Sequence, residues 1–114
     1  MARPLDVGGA DFDVKVLGAR RPAVVDFWAE WCEPCHLADL VVEELTGEWA
    51  GEVDFFRVDV DRDGDIADRY QVRSIPTLVV FKEGLEVGRI VGVASKADLK
   101  KRIGGALRSA LGGR

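Results

Sequence analysis

Cysteine is scarce in this chain of 114 residues: there are two, too few for the disulfide framework of a small secreted scaffold. Basic charge is not in excess, since sixteen Lys and Arg face twenty Asp and Glu for a formal net charge of -4. That balance argues against general affinity for nucleic acid or anionic membranes, which needs a basic surplus. Long apolar runs are missing, and stretches such as Leu78-Val79-Val80-Phe81 fall far short of the roughly 18 residues of a membrane span. The opening residues, Met1 to Gly9, lack the apolar stretch of a signal peptide, so the expected location is cytoplasmic. In that compartment a cysteine pair is more often catalytic or metal-binding than a structural bridge. No repeat, low-complexity tract or linker divides the chain.

What remains reads as one domain, 1–114, with 1–9 a loose lead and 112–114 a tail. Hydrophobic residues at 47% and charged residues at 32% exclude disorder and collagen. A chain of this length buries roughly two-thirds of its unfolded surface and needs no staples.

Asp11 is a candidate cap for a short helix reaching Leu17, although Phe12, Val14 and Val16 also alternate as in a strand. Ala23 to Ala29 is a near-continuous apolar run and predicts a buried strand. Pro34 opens a helix, in whose first turn its missing N–H does little harm. Leu37, Leu40, Val41, Leu45 and Trp49 follow at helical spacing, and Gly51 supplies a stop. Val53 to Val60 predicts a strand, Asp63 to Tyr70 a short helix, and Thr77 to Phe81 a third strand. Lys82-Glu83-Gly84 predicts a tight hairpin into an antiparallel Glu86–Val91 strand. Ser95 and Asp98 form a capping box for a last helix with an apolar stripe at Leu99, Ile103, Leu107 and Leu111. Gly104-Gly105 inside it costs about 1 kcal/mol per glycine relative to alanine, which predicts a fraying end. The order implies an α/β fold, a mixed sheet with helices on both faces.

Cys32-Glu33-Pro34-Cys35 falls where the apolar strand gives way to a helix. Unpaired N–H groups and the dipole at a helix N-terminus stabilise a thiolate, and so favour Cys32 as a nucleophile. Cys35, one turn further in, can reach the same sulfur, which is the machinery of thiol–disulfide exchange. Zinc would need about four ligands, and the other soft donor, His36, is adjacent to Cys35 and poorly placed to share a metal. An inert pair or a structural disulfide is the remaining alternative. A C-x-x-C beside a βαβ pattern reads first as redox-active.

Phe27-Trp28-Ala29-Glu30-Trp31-Cys32-Glu33-Pro34-Cys35, with Asp26 before it and Ile75-Pro76-Thr77 after it, resembles the thioredoxin family. The likeness continues through Phe81-Lys82-Glu83-Gly84 and Val91-Gly92 to the last helix. It implies a thioredoxin fold, with a mixed sheet of four to five strands and four flanking helices, and it favours helix for the first ambiguous segment. Four positions depart from the family's usual residues: Glu33 for Gly, His36 for Lys, Ser74 for Gly and Val93 for Ala. They bear on redox poise and partner preference rather than on the reaction class.

The resemblance also assigns roles. Asp26, a lone carboxylate among Val24, Val25 and Phe27, is costly to desolvate and stays protonated to higher pH. By resemblance it takes or relays the proton of the resolving thiol; the bland alternative on the residues alone is an edge position or an ordinary ion pair. Arg57 stands where the family often has Lys, and it would pull the Asp26 pKa down if it reached it. Pro76 is expected in the cis form, with the Ile75 backbone pairing with an extended substrate as an added strand. Trp31, Glu33, Pro34, Ser74, Ile75, Pro76, Val91, Gly92 and Val93 are the expected substrate-binding residues. Trp28 is expected in the core. His36 is expected to face solvent, where as a cation it could tune Cys32.

Asp59-Val60-Asp61-Arg62-Asp63-Gly64-Asp65 imitates the start of a calcium loop, but Tyr70 stands where the bidentate Glu belongs. The acids therefore read as a solvated turn and cap. Lys96, Lys100, Lys101, Arg102, Arg108 and Arg114 read as a solvated basic helix face. The expected function is protein-disulfide reduction by a monomer with no bound cofactor or metal. Disulfide-containing proteins are its substrates, and a thioredoxin reductase drawing on NADPH recycles it. A dithiol oxidant or isomerase, or a binding module of the same fold, are the rivals.

Overall fold

The apolar run becomes a strand, Ala23–Trp28 (β2), in the middle of a five-stranded sheet, so both of its faces need apolar cover. The computed structural model describes residues 3–112, with side chains in the last helix as far as 109. Around β2 the chain runs through β1 (Leu5–Asp6), a π-helical turn (Asp13–Leu17), α1 (Glu33–Glu48), β3 (Asp54–Asp59), α2 (Gly64–Arg69), β4 (Thr77–Lys82), β5 (Leu85–Val91) and α3 (Lys96–Gly112). The strand order is β1-β3-β2-β4-β5. β1 and β2 lie parallel to β3, while β4 is antiparallel to both β2 and β5. This is the expected mixed α/β fold, with five strands, three α-helices and the π-helical turn as the fourth helical element. Among the described residues, no helix is long and apolar enough to cross a membrane.

Side chains alternate across a strand, so the sheet feeds two cores. On one face Phe12 and Val16 of the first turn and Ile66 and Ala67 of α2 pack with Val25, Phe27, Phe56, Val58, Val79 and Phe81. On the other, Val42 and Leu45 of α1 and Leu99 and Ile103 of α3 pack with Val24, Phe55, Leu78, Val80 and Ile90. Asp26 and Trp28 share the parity of Val24, and Arg57 that of Phe55. All three therefore belong to the face that α1 covers.

Several boundaries differ from the expectation. Residues 1–9 are not wholly a loose lead, because Leu5 and Asp6 pair with Phe56 and Arg57, and the Val7 N–H donates to the Arg57 carbonyl at 3.0 Å. A two-residue strand is too short to show any period in sequence. Asp11 does not cap the following turn; its Oδ1 accepts the Gly8 N–H at 2.9 Å, and Phe12 is the cap residue. The strand alternative there fails because Phe12 and Val16, four apart, are buried while Val14 is exposed. On α1 the buried side is Cys35, Ala38, Val42 and Leu45, and Leu37 and Leu40 are each 65% exposed. The hairpin takes positive φ at both Glu83 (53°) and Gly84 (80°), the primed turn that suits strand twist. The register slips between Val80 and Phe81, making a bulge in the β4–β5 ladder.

The α3 cap forms as expected, with the Ser95 hydroxyl accepting the Asp98 N–H at 3.1 Å. The helix runs through Gly104-Gly105 and continues to Gly112. Ile103 is fully buried and Ala106 closes tightly on the sheet, so packing outweighs propensity there. Lys96 pairs with Glu44 and Glu48 of α1, and Lys100 with Glu48. The Leu111 side chain and Arg114 lie outside the described residues.

A Cβ added to Gly88 on β5 would meet the Ala106 Cβ at 2.9 Å, whereas one added to Gly105 meets nothing within 4 Å. Gly88→Ala should lower unfolding stability by about 1–3 kcal/mol through overpacking. Gly105→Ala should raise it by roughly 1 kcal/mol through helix propensity. Urea midpoints that moved in the same direction for both would contradict this account.

Candidate functional site

Cys32 caps α1 in an extended conformation, with Pro34 within the first turn. The first-turn amides of a helix lack intrahelical partners, and one of them, the Cys35 N–H, points at Cys32 Sγ at 3.2 Å. The two cysteines are joined as a disulfide with their Cα atoms 5.3 Å apart, inside the usual span for a bridge. They pack with Ala29, Trp28, Val60 and Ile75. Cys32 is 4% exposed and Cys35 1%. They differ in what they border, because Cys32 lines a surface groove of about 530 Å³ and Cys35 does not.

One wall of that groove is Trp31, Cys32, Glu33 and Pro34; the other is Val72, Arg73, Ser74 and Ile75, with Val60 between them. The Ile75–Pro76 peptide is cis. Thr77 Oγ1 donates to the Ser74 carbonyl at 2.7 Å and ties this turn to β4. The Gly92 N–H donates to the Pro76 carbonyl at 2.8 Å, which sets the exposed Val91 and Val93 beside the same turn. Trp31 is exposed, and its indole N–H donates to Asp61 Oδ2 at 2.8 Å. Two other acids of the calcium-like stretch have separate partners: Asp59 Oδ1 accepts the Asp61 N–H, and Asp63 Oδ1 accepts the Gly9 N–H.

Beside the cysteines lies a second, charged layer. Asp26 is buried on the central strand, neither at an edge nor in an ion pair among the described contacts, and both carboxylate oxygens lack a hydrogen-bond donor. Its pKa is pushed up to about 7, chiefly by burial and then by the like charge of Asp39, against the pull of Arg57. Arg57 is the register partner of Asp26 across the β2–β3 ladder. Its guanidinium stacks over the Trp28 ring, 3.7 Å from the centroid, and its Nε lies 3.0 Å from Asp6 Oδ1. Trp28 is therefore half-buried beneath a cation rather than wholly in the core. His36 sits on the exposed side of α1, with Nε2 2.7 Å from the Glu30 carbonyl oxygen.

The structure thus brings Trp31, Cys32, Glu33, Pro34, Ser74 and Ile75 together around one groove. Pro76 follows Ile75 and is tied to Gly92, with Val91 and Val93 flanking it, outside the groove's lining, and Asp26, Arg57 and His36 form the layer beside it. Sequence reasoning missed Val60, Val72 and Arg73 on the groove, Asp61 behind Trp31, and Asp39 near Asp26. Only Asp39 left a signal, as a carboxylate four residues after Cys35 and next to the buried Ala38 of α1.

The thioredoxin family's sequence model matches residues 4–104. The chain belongs to the thioredoxin family. It is 44% identical over 93 residues to a thioredoxin of Staphylococcus epidermidis, covering 82% of this chain and 88% of that one. A Mycobacterium tuberculosis thioredoxin is 42% identical over 99 residues, 87% of this chain and 85% of the other. One from Staphylococcus aureus is 45% identical over 93 residues, with shares of 82% and 88%. Family membership and the Cys32–Cys35 bridge make this thioredoxin-family chain a protein-disulfide oxidoreductase acting by thiol–disulfide exchange.

The raised Asp26 pKa has a consequence for stability. Between the unfolded value of 3.8 and about 7 the native state keeps a proton that the unfolded chain has released. Stability is therefore lost progressively as pH rises through that window, and the loss is complete above it. Asp26→Asn should leave stability nearly unchanged near pH 4 and raise it by on the order of 2–4 kcal/mol near pH 8. Urea unfolding at both pH values checks this, and a gain independent of pH would contradict it.

Proposed function

We propose that Cys32 is the attacking sulfur and Cys35 the resolving one, and that Asp26 takes the Cys35 proton. The observation that carries the assignment is that Cys32 borders the groove while Cys35 is sealed behind it. The Cys32 thiolate attacks a substrate disulfide, forming a Cys32–substrate bond and releasing one substrate thiolate. The Cys35 sulfur then attacks Cys32 Sγ, closing the Cys32–Cys35 bridge and releasing the second thiolate. Two electrons pass from the dithiol to the substrate, and the Cys35 proton goes to the Asp26 carboxylate.

Substrate docks in the groove as an extended segment against the Ile75 backbone, flanked by Trp31, Pro34, Val91, Gly92 and Val93, with Glu33 and Ser74 at its margins. Arg57 and His36 tune the charge of the layer beside it. The chain works as a monomer in the cytoplasm and carries no bound cofactor or metal. A thioredoxin reductase returns it to the dithiol with electrons from NADPH.

The test is reduction of a model protein disulfide with NADPH and a thioredoxin reductase. Turnover that needs both cysteines is expected; its absence would leave the oxidant or binding roles instead. Cys35→Ser should accumulate covalent substrate complexes through Cys32, visible by mass spectrometry and released by dithiothreitol. Accumulation in Cys32→Ser instead would reverse the two roles.

A further inference from the structure

On the reading above, once Cys35 has resolved the mixed disulfide its proton rests on a buried carboxyl that, among the described residues, has no hydrogen-bonded partner of its own. Asp39 lies four residues, about one helical turn, beyond Cys35. Its side chain is only 19% exposed, and its Oδ2 is 4.0 Å from Arg57 Nη1. Arg57 is in turn the cross-strand partner of Asp26. Both Asp26 oxygens lack another hydrogen-bond partner, and two ionised carboxylates could not donate to each other. With one proton between them, a carboxyl–carboxyl hydrogen bond forms and the pair carries a single charge opposite Arg57.

On its outer side the same Asp39 oxygen faces His36 Nδ1 at 4.0 Å. A carbonyl oxygen only accepts, so His36 Nε2, 2.7 Å from the Glu30 carbonyl, carries the N–H. The neutral ring then presents a bare Nδ1 to Asp39. The His36 side chain is 48% exposed, so the ring borders solvent. Among the described residues, the charged or ionisable groups within 4.0 Å of Asp39 or of its partner Arg57 are thus Arg57 itself on β3, Asp6 on β1 and His36 on α1.

We propose that Asp39 is a proton-sharing partner of Asp26, so that the two carboxyls form one proton store between the resolving thiol and His36. This deepens the reading of Asp26 as acceptor of the Cys35 proton and rests on it. The proton moves from Cys35 to Asp26 as the substrate thiolate leaves, is shared with Asp39, and passes to His36 Nδ1 across one water or after a small side-chain rotation. His36 returns it to solvent, and no electrons travel this way. Asp39 acts through Asp26 and is a positioning residue.

Two measurements test this. Carboxyl carbon NMR of the oxidised protein should show Asp26 and Asp39 titrating as a coupled pair, in two steps. In Asp39→Asn, Asp26 should titrate in one step, about one pH unit or more lower, because a like charge has been replaced by an amide donor. Reduced protein mixed with an aromatic disulfide releases two coloured thiolates, the second on resolution. The pH profile of that second release should move down with the titration in Asp39→Asn and stay near its original place in Asp39→Glu. His36→Gln should slow it severalfold in dilute buffer, with recovery on adding imidazole; no slowing would overturn the exit through His36. If Asp26→Asn slows the second release but Asp39→Asn leaves both titration and profile in place, proton sharing is overturned while the role of Asp26 stands. If Asp26→Asn changes nothing, both fall together.

Discussion

The seating of α1 across one face of the sheet is the constraint on which the rest of the site depends. Val42 and Leu45 anchor the helix on the core built by Val24, Leu78 and Val80. That anchorage fixes where the helix begins, and Cys32 occupies its cap. The same seating closes the helix over the side of β2 that carries Asp26 and keeps water from the carboxylate. An apolar contact thus sets two electrostatic environments: amide-rich at the sulfur, and dry at the carboxyl. Moving α1 along the sheet would disturb both at once.

The site has an apolar approach and a charged rear. Ile75, Val72, Pro34 and Trp31 line the groove, the side on which the proposed extended substrate would dock. Arg57, Asp39, Asp6 and His36 lie to the rear, each within 4.0 Å of another member of the set. The Trp28 ring, stacked under Arg57 and packed against the cysteine cluster, separates these two regions. Disulfide exchange can thus take place in an apolar groove while charge is rearranged on the other side of an indole.

The parts of this arrangement legible in the sequence were those with a strong local signature. The strand–Cys–helix junction, the central apolar strand, the Glu83-Gly84 turn and the Ser95 cap each combine a period with a punctuating residue. Leu37 and Leu40 misled because helical spacing says which residues share a face, not which face the sheet covers. Cys35 and Ala38, small and less conspicuous, are the ones turned inward. Leu5–Asp6 was invisible because its strand partner is β3, fifty-one residues away in register. Asp39 was overlooked for a related reason, since a carboxylate on a helix reads as solvent-facing until a second carboxylate is found buried beside it.

The two edges of the sheet have a consequence for how this molecule lives among its neighbours. β1 is only two residues long, follows Pro4 and ends on Asp6; β5 is bent by a bulge and carries the Glu86–Arg89 ion pair. Short, kinked and charged edges are poor templates for another strand. The Ser74–Pro76 turn, by contrast, is open beside an apolar groove. In the docking mode proposed above, strand addition is thereby directed to that short turn and away from the two sheet edges.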